Sequence, residues 1–201
     1  YVDHPEVNAQ LRWYVNHPAY MERVQQRAER YLHFIVENLH ANDAPYDIAL
    51  LPIVESAYEP FAYSHGQASG LWQFIPMTGK HFKLKQDWWY DGRRDTVEST
   101  RAAINYLRYL HRLFNEDWLL ALAAYNAGEG TVGRAIKKNE QLNKPTDFWH
   151  LDLRAETRAY VPKMIALAEI YRDPTRYGMP LVSIPNKPYF VEIPLDGQLD
   201  L

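Results

Sequence analysis

The segment WLLALAAYN, residues 118–126, would be apolar on nearly every side if it formed a helix. A helix without a polar face must be covered by other elements all round. Asp117 is placed to cap its first turn, and Gly128 is placed to end it. The segment therefore predicts a fold in which other helices pack around a central one.

Helical periodicity recurs along most of the remaining chain. Residues 18–42 are predicted to form one long amphipathic helix. A shorter helix is predicted from Asp47, as its N-cap, to Glu55, with Pro52 either kinking it or shifting its start. Residues 97–114 predict another helix, whose buried stripe would comprise Ala103, Tyr106, Leu107, Leu110 and Leu113. Further helices are predicted at 76–82, 131–139 and 155–172, with an irregular loop or short β excursion at 56–75. The expected fold class is mainly α.

Chain length and proline content suggest how the sequence is divided. At 201 residues the chain has room for one domain with a single core. Beyond Tyr177, prolines at positions 180, 185, 188 and 194 leave only extended or edge-strand conformations. We therefore expect a helical domain at residues 1–178 and an extended Pro-rich tail or linker at residues 179–201.

Composition excludes several functional classes. The formal net charge is −3 without long runs of one sign, so neither nucleic acid nor an anionic membrane surface is an expected partner. The absence of cysteine excludes disulfides, thiolate metal sites and cysteine nucleophiles. The eight histidines lack HExxH spacing, and the chain has neither a GxxxxGK loop nor a GxSxG elbow. No metal and no cofactor are therefore expected.

One carboxylate stands out by its position. Glu55 follows the apolar run LLPIV, against which an unpaired charge is costly. Burial beside Ile53 and Val54 would raise its pKa, and a protonated glutamate can serve as the acid that cleaves a glycosidic bond. The alternatives are that Glu55 is an exposed residue at a helix end, or that it pairs with an arginine.

Four sequence blocks carry a resemblance to a known family. They are ES at 55–56, SHGQASGLWQF at 64–74, AAYNAGEG at 123–130 and ETRAYVPK at 156–163. In this order and at these separations they resemble the lysozyme-like domain of Slt-type lytic transglycosylases. The resemblance covers about residues 20–173. It implies a mainly α-helical, goose-lysozyme-like fold and an enzyme that cuts peptidoglycan glycan strands.

The resemblance also implies a mechanism that needs only one catalytic carboxylate. Glu55 matches the family's acid, which protonates the leaving oxygen and then acts as a base. The muramic acid C6 hydroxyl closes on C1 to give a 1,6-anhydro product without water. Four other nearby carboxylates match no motif position and are interpreted as surface or loop-tethering charges, namely Glu59, Asp91, Asp95 and Glu98.

Six further positions match substrate-binding residues of the family. They are Ser64, Gln73, Tyr125, Asn126, Glu156 and Tyr160. Five of them also have a structural alternative: Ser64 can cap a turn, Gln73 can satisfy loop backbone groups, and Asn126 can cap a helix. Tyr125 and Tyr160 can instead pack inside the core.

The aromatic residues near these motifs show one departure from the family. Trp72 replaces the methionine that many relatives carry, which leaves the catalytic assignment intact but puts fine subsite shape in doubt. Trp88, Trp89 and Tyr90 offer rings that could stack on sugars. A tryptophan pair beside a turn is more often a core anchor, so these residues are left out of the predicted site.

Two functional rivals and the location follow from the resemblance. A goose-type lysozyme would share the fold but use water, whereas a wall-binding module would keep the cleft without cleaving. The family implies a periplasmic enzyme associated with the outer membrane, with a possible lipid anchor and LysM repeats outside this sequence. Residues 1–15 lack signal-peptide features and an initiator Met, so we expect a mature or trimmed fragment. We expect no membrane contact from the chain itself, and its oligomeric state stays open.

Overall fold

The computed structural model describes residues 3–193 and is mainly α-helical, as predicted. Nine α-helices and two short 3₁₀ helices are described in this range. The α-helices are α1 (Pro5–Val15), α2 (Pro18–Ala28), α3 (Leu32–Ala41), α4 (Leu51–Ser56), α5 (Pro76–His81), α6 (Thr96–Leu113), α7 (Trp118–Ala127), α8 (Glu129–Gln141) and α9 (Ala155–Arg172). The 3₁₀ helices span Tyr46–Leu50 and Phe148–His150.

Helix α7 is the central helix that its composition predicted. All five residues from Leu120 to Ala124 are buried, and α6, α8 and α9 each pack against it. Oδ1 of Asp117 accepts hydrogen bonds from the backbone N–H groups of Leu119 and Leu120, at 2.8 and 3.0 Å. Gly128 ends the helix with a φ of 87°. Both predicted caps are confirmed.

Helix α6 confirms most of its predicted buried stripe. Ala103, Tyr106, Leu107 and Leu110 are buried, but Leu113 is 46% exposed. The prediction for Leu113 is therefore wrong: Leu110 and Phe114 on either side of it are buried, so Leu113 lies on the solvent-facing side of the last turn. At the other end, the Asp95 side chain accepts a hydrogen bond from the N–H of Glu98 and caps the helix.

The single long helix predicted at residues 18–42 is wrong. The chain breaks between α2 and α3, where the N–H of Tyr31 bonds to the carbonyl of Ala28, three residues back. This break lets the two helices reach different partners: α2 packs against α1, whereas α3 packs against α6 and the first 3₁₀ helix. The apolar period continues through the break, so no local signal marked it.

The segment leading to Glu55 also differs from its prediction. It starts as the 3₁₀ helix Tyr46–Leu50, and Asp47 lies inside that turn with no capping hydrogen bond from its side chain. The predicted N-cap at Asp47 is therefore wrong. The α-helix starts at Leu51, which leaves Pro52 in the first turn, where its missing N–H costs no helical hydrogen bond.

The region after α4 is an irregular loop with isolated β-bridges, as predicted. Tyr63 pairs with Ser69, and Ser69 pairs with Phe74. A second turn-rich connection at residues 85–95 carries Trp88 and Trp89, which are 85% and 88% exposed. The interpretation of this pair as a core anchor is wrong, because the turn that carries them holds both rings away from the core.

Residues 179–193 form neither a helix nor a strand and lie along the helical domain. The Gln25 side chain donates to the carbonyl of Pro180 at 3.1 Å and accepts from the N–H of Val182 at 2.8 Å. Further on, Glu192 forms an ion pair with Arg101. The division at residues 178 and 179 stays a prediction, and Pro194 lies outside the described residues. In the part of the chain that the structure describes, no helix is both long and apolar enough to cross a bilayer.

Candidate active site

A cleft of about 460 Å³ lies between the end of α4, the loop that follows it, the end of α7 and one face of α9. It brings together all seven residues that the sequence nominated. These are Glu55, Ser64, Gln73, Tyr125, Asn126, Glu156 and Tyr160. These residues are spread over more than 100 positions of the chain, so it is the fold that brings them together.

Glu55 lies in the last turn of α4, at the edge of the buried core. The helix stops one residue later because Ala57 and Tyr58 adopt left-handed backbone angles, with φ of 51° and 57°. Part of Glu55 remains open to the cleft, while its surroundings keep most water away. Burial raises its pKa from 4.5 to about 7. The carboxyl therefore holds its proton near neutrality.

Three side chains on α9 also affect the pKa of Glu55, each less strongly than burial does. The hydrogen bond that Tyr160 donates to Oε1 of Glu55 favours the charged form and lowers the pKa. The negative charge of Glu156 raises it, and the positive charge of Lys163 lowers it. Within residues 3–193 Glu55 forms no ion pair with an arginine, so the exposed and the arginine-paired alternatives are both wrong.

Tyr125 connects α7 to the loop that forms one wall of the cleft. Its hydroxyl donates to the backbone carbonyl of Trp72 at 2.8 Å. The indole of Trp72 is fully buried, and its N–H donates to the Thr100 hydroxyl at 3.0 Å. Burial raises the pKa of Tyr125 well above its usual range, so the phenol stays a hydrogen-bond donor. Trp72 thus fills core volume beneath the cleft and does not line it.

Asn126 joins the end of α7 to the start of α9. Its Oδ1 accepts a hydrogen bond from the Thr157 hydroxyl at 2.8 Å, and its Nδ2 donates to Oε1 of Glu156 at 3.4 Å. Both polar ends of the amide are therefore occupied by protein groups. The arrangement holds Glu156 at the rim of the cleft, where it acts on the pKa of Glu55.

Ser64 and Gln73 make the loop contacts that were their structural alternatives. The Ser64 hydroxyl accepts from the N–H of Ala68 at 3.1 Å. The Gln73 amide donates to the carbonyls of Ala62 and Gly70, at 3.1 and 2.9 Å, and its backbone is left-handed, with a φ of 52°. Both residues also line the cleft, so their contact with substrate stays a prediction.

Sequence reasoning missed two residues that shape the site. Lys163 lines the cleft and acts on the pKa of Glu55. A signal was available, because Lys163 follows Glu156 by seven residues and Tyr160 by three, which places all three on one helical face. Arg93 is buried, pairs with Asp91 and donates to the carbonyls of Gln67 and Phe74 in the cleft wall. No sequence pattern indicated this role of Arg93.

The other carboxylates near the motifs do not line the cleft. Asp91 forms a bidentate pair with Arg93, at 2.9 and 2.7 Å, and Asp95 caps α6. The interpretation of these two as loop-tethering charges is confirmed. Across residues 3–193 no group of three histidine or acidic side chains is arranged to hold a metal ion.

Comparison with known proteins identifies the family. The model of the transglycosylase SLT domain matches residues 33–148, more than half of the chain. The chain belongs to the transglycosylase SLT domain family. The chain is 42% identical to membrane-bound lytic murein transglycosylase D of Escherichia coli strain K12, over 99% of its own length and 44% of that protein. The chain thus spans less than half of that relative's length.

Two further comparisons agree with this assignment. The chain is 40% identical to a putative tributyltin chloride resistance protein of Alteromonas, over 85% of this chain and 80% of that protein. Among solved structures, it is similar to an inactive mutant of lytic transglycosylase Slt from Pseudomonas aeruginosa. That match has a TM-score of 0.54 and 26% identity over 71% of this chain and 24% of the other. The predicted lysozyme-like SLT fold is confirmed.

Proposed function

We propose that this SLT domain is the catalytic part of a peptidoglycan lytic transglycosylase. It would cleave the β-1,4 bond between N-acetylmuramic acid and N-acetylglucosamine and leave a 1,6-anhydro-N-acetylmuramic acid end. The observation that supports this most directly is Glu55, a carboxyl with a pKa of about 7 facing a cleft. Such a group is a proton donor at the start of a reaction and an acceptor afterwards.

In the first step the protonated Glu55 carboxyl gives its proton to the glycosidic oxygen as the bond from that oxygen to C1 of muramic acid breaks. The bonding electron pair leaves with the oxygen, which becomes the 4-hydroxyl of N-acetylglucosamine. Positive charge then develops at C1, where the sugar's own N-acetyl oxygen can stabilise it. Because Tyr160 donates to Oε1 of Glu55, the acidic proton is carried by Oε2.

In the second step the Glu55 carboxylate accepts the proton of the muramic acid C6 hydroxyl. The freed oxygen bonds to C1, which closes the 1,6-anhydro ring and returns Glu55 to its protonated state. Water is neither consumed nor released in the two steps. Burial supports both steps, because it brings the pKa of the carboxyl close to neutral pH, where both its acid form and its base form are populated.

The remaining cleft residues suit an uncharged sugar substrate. Ser64 and Gln73 supply neutral donors and acceptors of the kind that match hydroxyl and N-acetyl groups. Asn126, whose amide already contacts Thr157 and Glu156, would offer the second hydrogen of its Nδ2. Tyr125 is a phenol that stays protonated beside Glu55. Its one proton bonds to the Trp72 carbonyl, so stabilising charge at the sugar carbonyl oxygen would require the hydroxyl to turn from that carbonyl toward the sugar. In this proposal Glu156 and Tyr160 reach the substrate from α9.

The proposed partner and location follow from this activity. The partner is the glycan strand of peptidoglycan, which lies outside the cytoplasmic membrane. The relative membrane-bound lytic murein transglycosylase D is named for membrane attachment, so we place the protein in the periplasm, associated with the outer membrane. A lipid anchor or LysM repeats would belong to parts of the protein beyond these residues.

The test is product analysis of a peptidoglycan digest by mass spectrometry. We expect muropeptides that end in anhydro-muramic acid, each lighter by one water than a hydrolytic product. Glu55→Gln should lower the rate at least about a hundredfold while glycan binding persists. Glu59→Gln is the matched control, since that carboxylate lies four residues on and does not line the cleft.

Two results would contradict the proposal. Products that all carry the added water would indicate a goose-type lysozyme. Binding of glycan without any cleavage by the unmodified protein would indicate a wall-binding module.

A further inference from the structure

Two tryptophans form an exposed apolar surface that the proposed reaction does not use. Trp88 and Trp89 have the largest exposed fractions, 85% and 88%, of the exposed large apolar side chains among residues 3–193. Their rings meet edge to face, with centroids 5.6 Å apart. Exposed tryptophans are rare unless a partner covers them, because their apolar area is costly to leave in water. We name Trp88 and Trp89 the tryptophan platform.

The turn that carries the tryptophan platform is fixed by its own hydrogen bonds. Oδ1 of Asp87 accepts from the N–H groups of Trp89 and Tyr90, both at 2.9 Å. The N–H of Asp87 donates to the carbonyl of Tyr90, and the Tyr90 hydroxyl donates to Asp95 at 2.8 Å. The backbone therefore holds both rings outward without help from packing of the rings themselves. A rigid aromatic surface loses little entropy when it binds a ligand.

The same turn is fastened to the wall of the cleft. Arg93 donates to the carbonyls of Gln67 and Phe74, at 2.6 and 3.2 Å, and Phe74 lines the cleft. The Gln86 amide donates to the carbonyl of Pro76 at 3.0 Å. Gly70 allows this close approach: a Cβ there would lie 1.9 Å from the carbonyl oxygen of Arg93. The turn that carries the tryptophan platform is thus held in a fixed position relative to the cleft wall.

We infer that Trp88 and Trp89 form an outer subsite that stacks on sugar rings of a glycan strand extending beyond the cleft. The inference rests on the proposed function, because it takes its ligand from that substrate. The apolar faces of sugar rings suit tryptophan, and neutral sugars need no charge from the site. An anionic lipid surface is less favoured, because the charges of this turn cancel: Lys85 pairs with Asp87 at 3.0 Å and Arg93 with Asp91 at 2.7 Å. Hydrogen bonds and neighbouring cations lower the pKa of both carboxyls and keep them ionised.

The binding test uses the 201-residue chain in the Glu55→Gln background, so that the ligand is not consumed. Purified peptidoglycan sacculi serve as the probe in a sedimentation assay. We expect the further change Trp88→Ala with Trp89→Ala to weaken binding about fivefold for each ring lost. Trp13→Ala is the matched control, because Trp13 is 44% exposed on α1 and does not line the cleft. It should leave binding unchanged.

A second measurement separates this subsite from the catalytic centre. The variant with Trp88→Ala and Trp89→Ala should keep the rate on an oligosaccharide short enough to lie within the cleft, and lose rate on sacculi. Equal rates and equal binding on both substrates would overturn the outer subsite while leaving the transglycosylase proposal intact. Conversely, Trp-dependent glycan binding without any anhydro product would refute the transglycosylase and keep the binding surface.

Lipid binding is the remaining outcome that would contradict the inference. Vesicles of phosphatidylethanolamine and phosphatidylglycerol provide the probe. If the protein sediments with these vesicles through Trp88 and Trp89 while sacculus binding is unaffected by their loss, the tryptophan platform faces a membrane. Tryptophan fluorescence gives an independent readout, since soluble glycan should protect the two exposed rings from iodide quenching.

Discussion

The hydroxyl of Tyr160 donates a hydrogen bond to Oε1 of Glu55 and joins α9 to the end of α4 across 105 positions of sequence. This contact opposes the main influence on the carboxyl. Burial raises the pKa of Glu55, whereas the hydrogen bond lowers it. The resulting pKa of about 7 is therefore a balance of two structural features, and each can be removed separately.

The pH dependence of stability tests the burial of Glu55. Its pKa is about 7 when folded and 4.5 in its ordinary state, so the folded protein holds the extra proton between these values. Stability contributed by that proton is present below pH 4.5 and is lost as the pH rises to 7, at most about 3 kcal/mol. Glu55→Gln should therefore be more stable than the unmodified protein at pH 8 by up to that amount, with little difference near pH 4.5. Urea denaturation at both pH values measures it, and Glu37→Gln, at an exposed position on α3, should show no such trend.

Tyr160→Phe should move the alkaline limb of the pH–rate profile to higher pH. The lost hydrogen bond favoured the charged carboxylate, so its removal raises the pKa of Glu55 further and keeps the acid protonated over a wider range. The measurement is kcat/KM between pH 5 and 9. Tyr106→Phe removes another phenol from the cleft without touching Glu55 and should leave the limb in place. A shift of equal size in both variants would count against the Tyr160 contact.

The two charged residues on α9 should displace the same limb in opposite directions. Glu156→Gln removes a negative charge that raises the pKa of Glu55, so the limb moves to lower pH. Lys163→Gln removes a positive charge that lowers the pKa, so the limb moves to higher pH. Both displacements should shrink at 1 M salt, where charges are screened within about 3 Å. If both variants shifted the alkaline limb in the same direction, the cause would be a structural change and not the loss of a charge.

Two glycines with similar φ angles provide a matched test of the cleft wall. Gly70 has a φ of 84° and Gly128 a φ of 87°, but only a Cβ at Gly70 would meet another group, the carbonyl of Arg93. Gly128→Ala should cost about 1–3 kcal/mol through backbone strain alone. Gly70→Ala should cost several kcal/mol more or prevent folding. Urea denaturation compares them, and equal costs would mean that the turn carrying Arg93 yields easily.

Patterns that depend on local chemistry were readable from the sequence. The apolar circumference of α7 and the carboxylate at Asp117 predicted its position and its cap, because both act within one helix. The seven predicted site residues came from motif resemblance, and all of them line one cleft. Helix α1 was not predicted. It packs along α9, and that partner lies more than 140 residues away in the chain.

The features that the sequence did not predict depend on distant contacts. The break after Ala28 lies within an unbroken apolar period, and only the different partners of α2 and α3 explain it. The exposure of Trp88 and Trp89 likewise follows from the turn closed by Asp87. Helix propensity and apolar periodicity are local signals and contain no information on such contacts. For this reason the helix ends and the surface aromatics were the weakest predictions.

The contact between Gly70 and Arg93 also determines which wall of the cleft can change shape to fit different substrates. One wall of the cleft is held by the close backbone packing of Gly70 against Arg93 and by the bidentate pair of Arg93 with Asp91. The shape of this wall is therefore fixed. On the opposite wall, α9 is fastened by the 2.8 Å bond from Thr157 to Asn126, whereas the Glu156 side chain is held by the same amide only at 3.4 Å. Tolerance for strands that carry different stem peptides or crosslinks should therefore evolve through Glu156 at the rim, while the rigid wall would fix the register in which a strand binds.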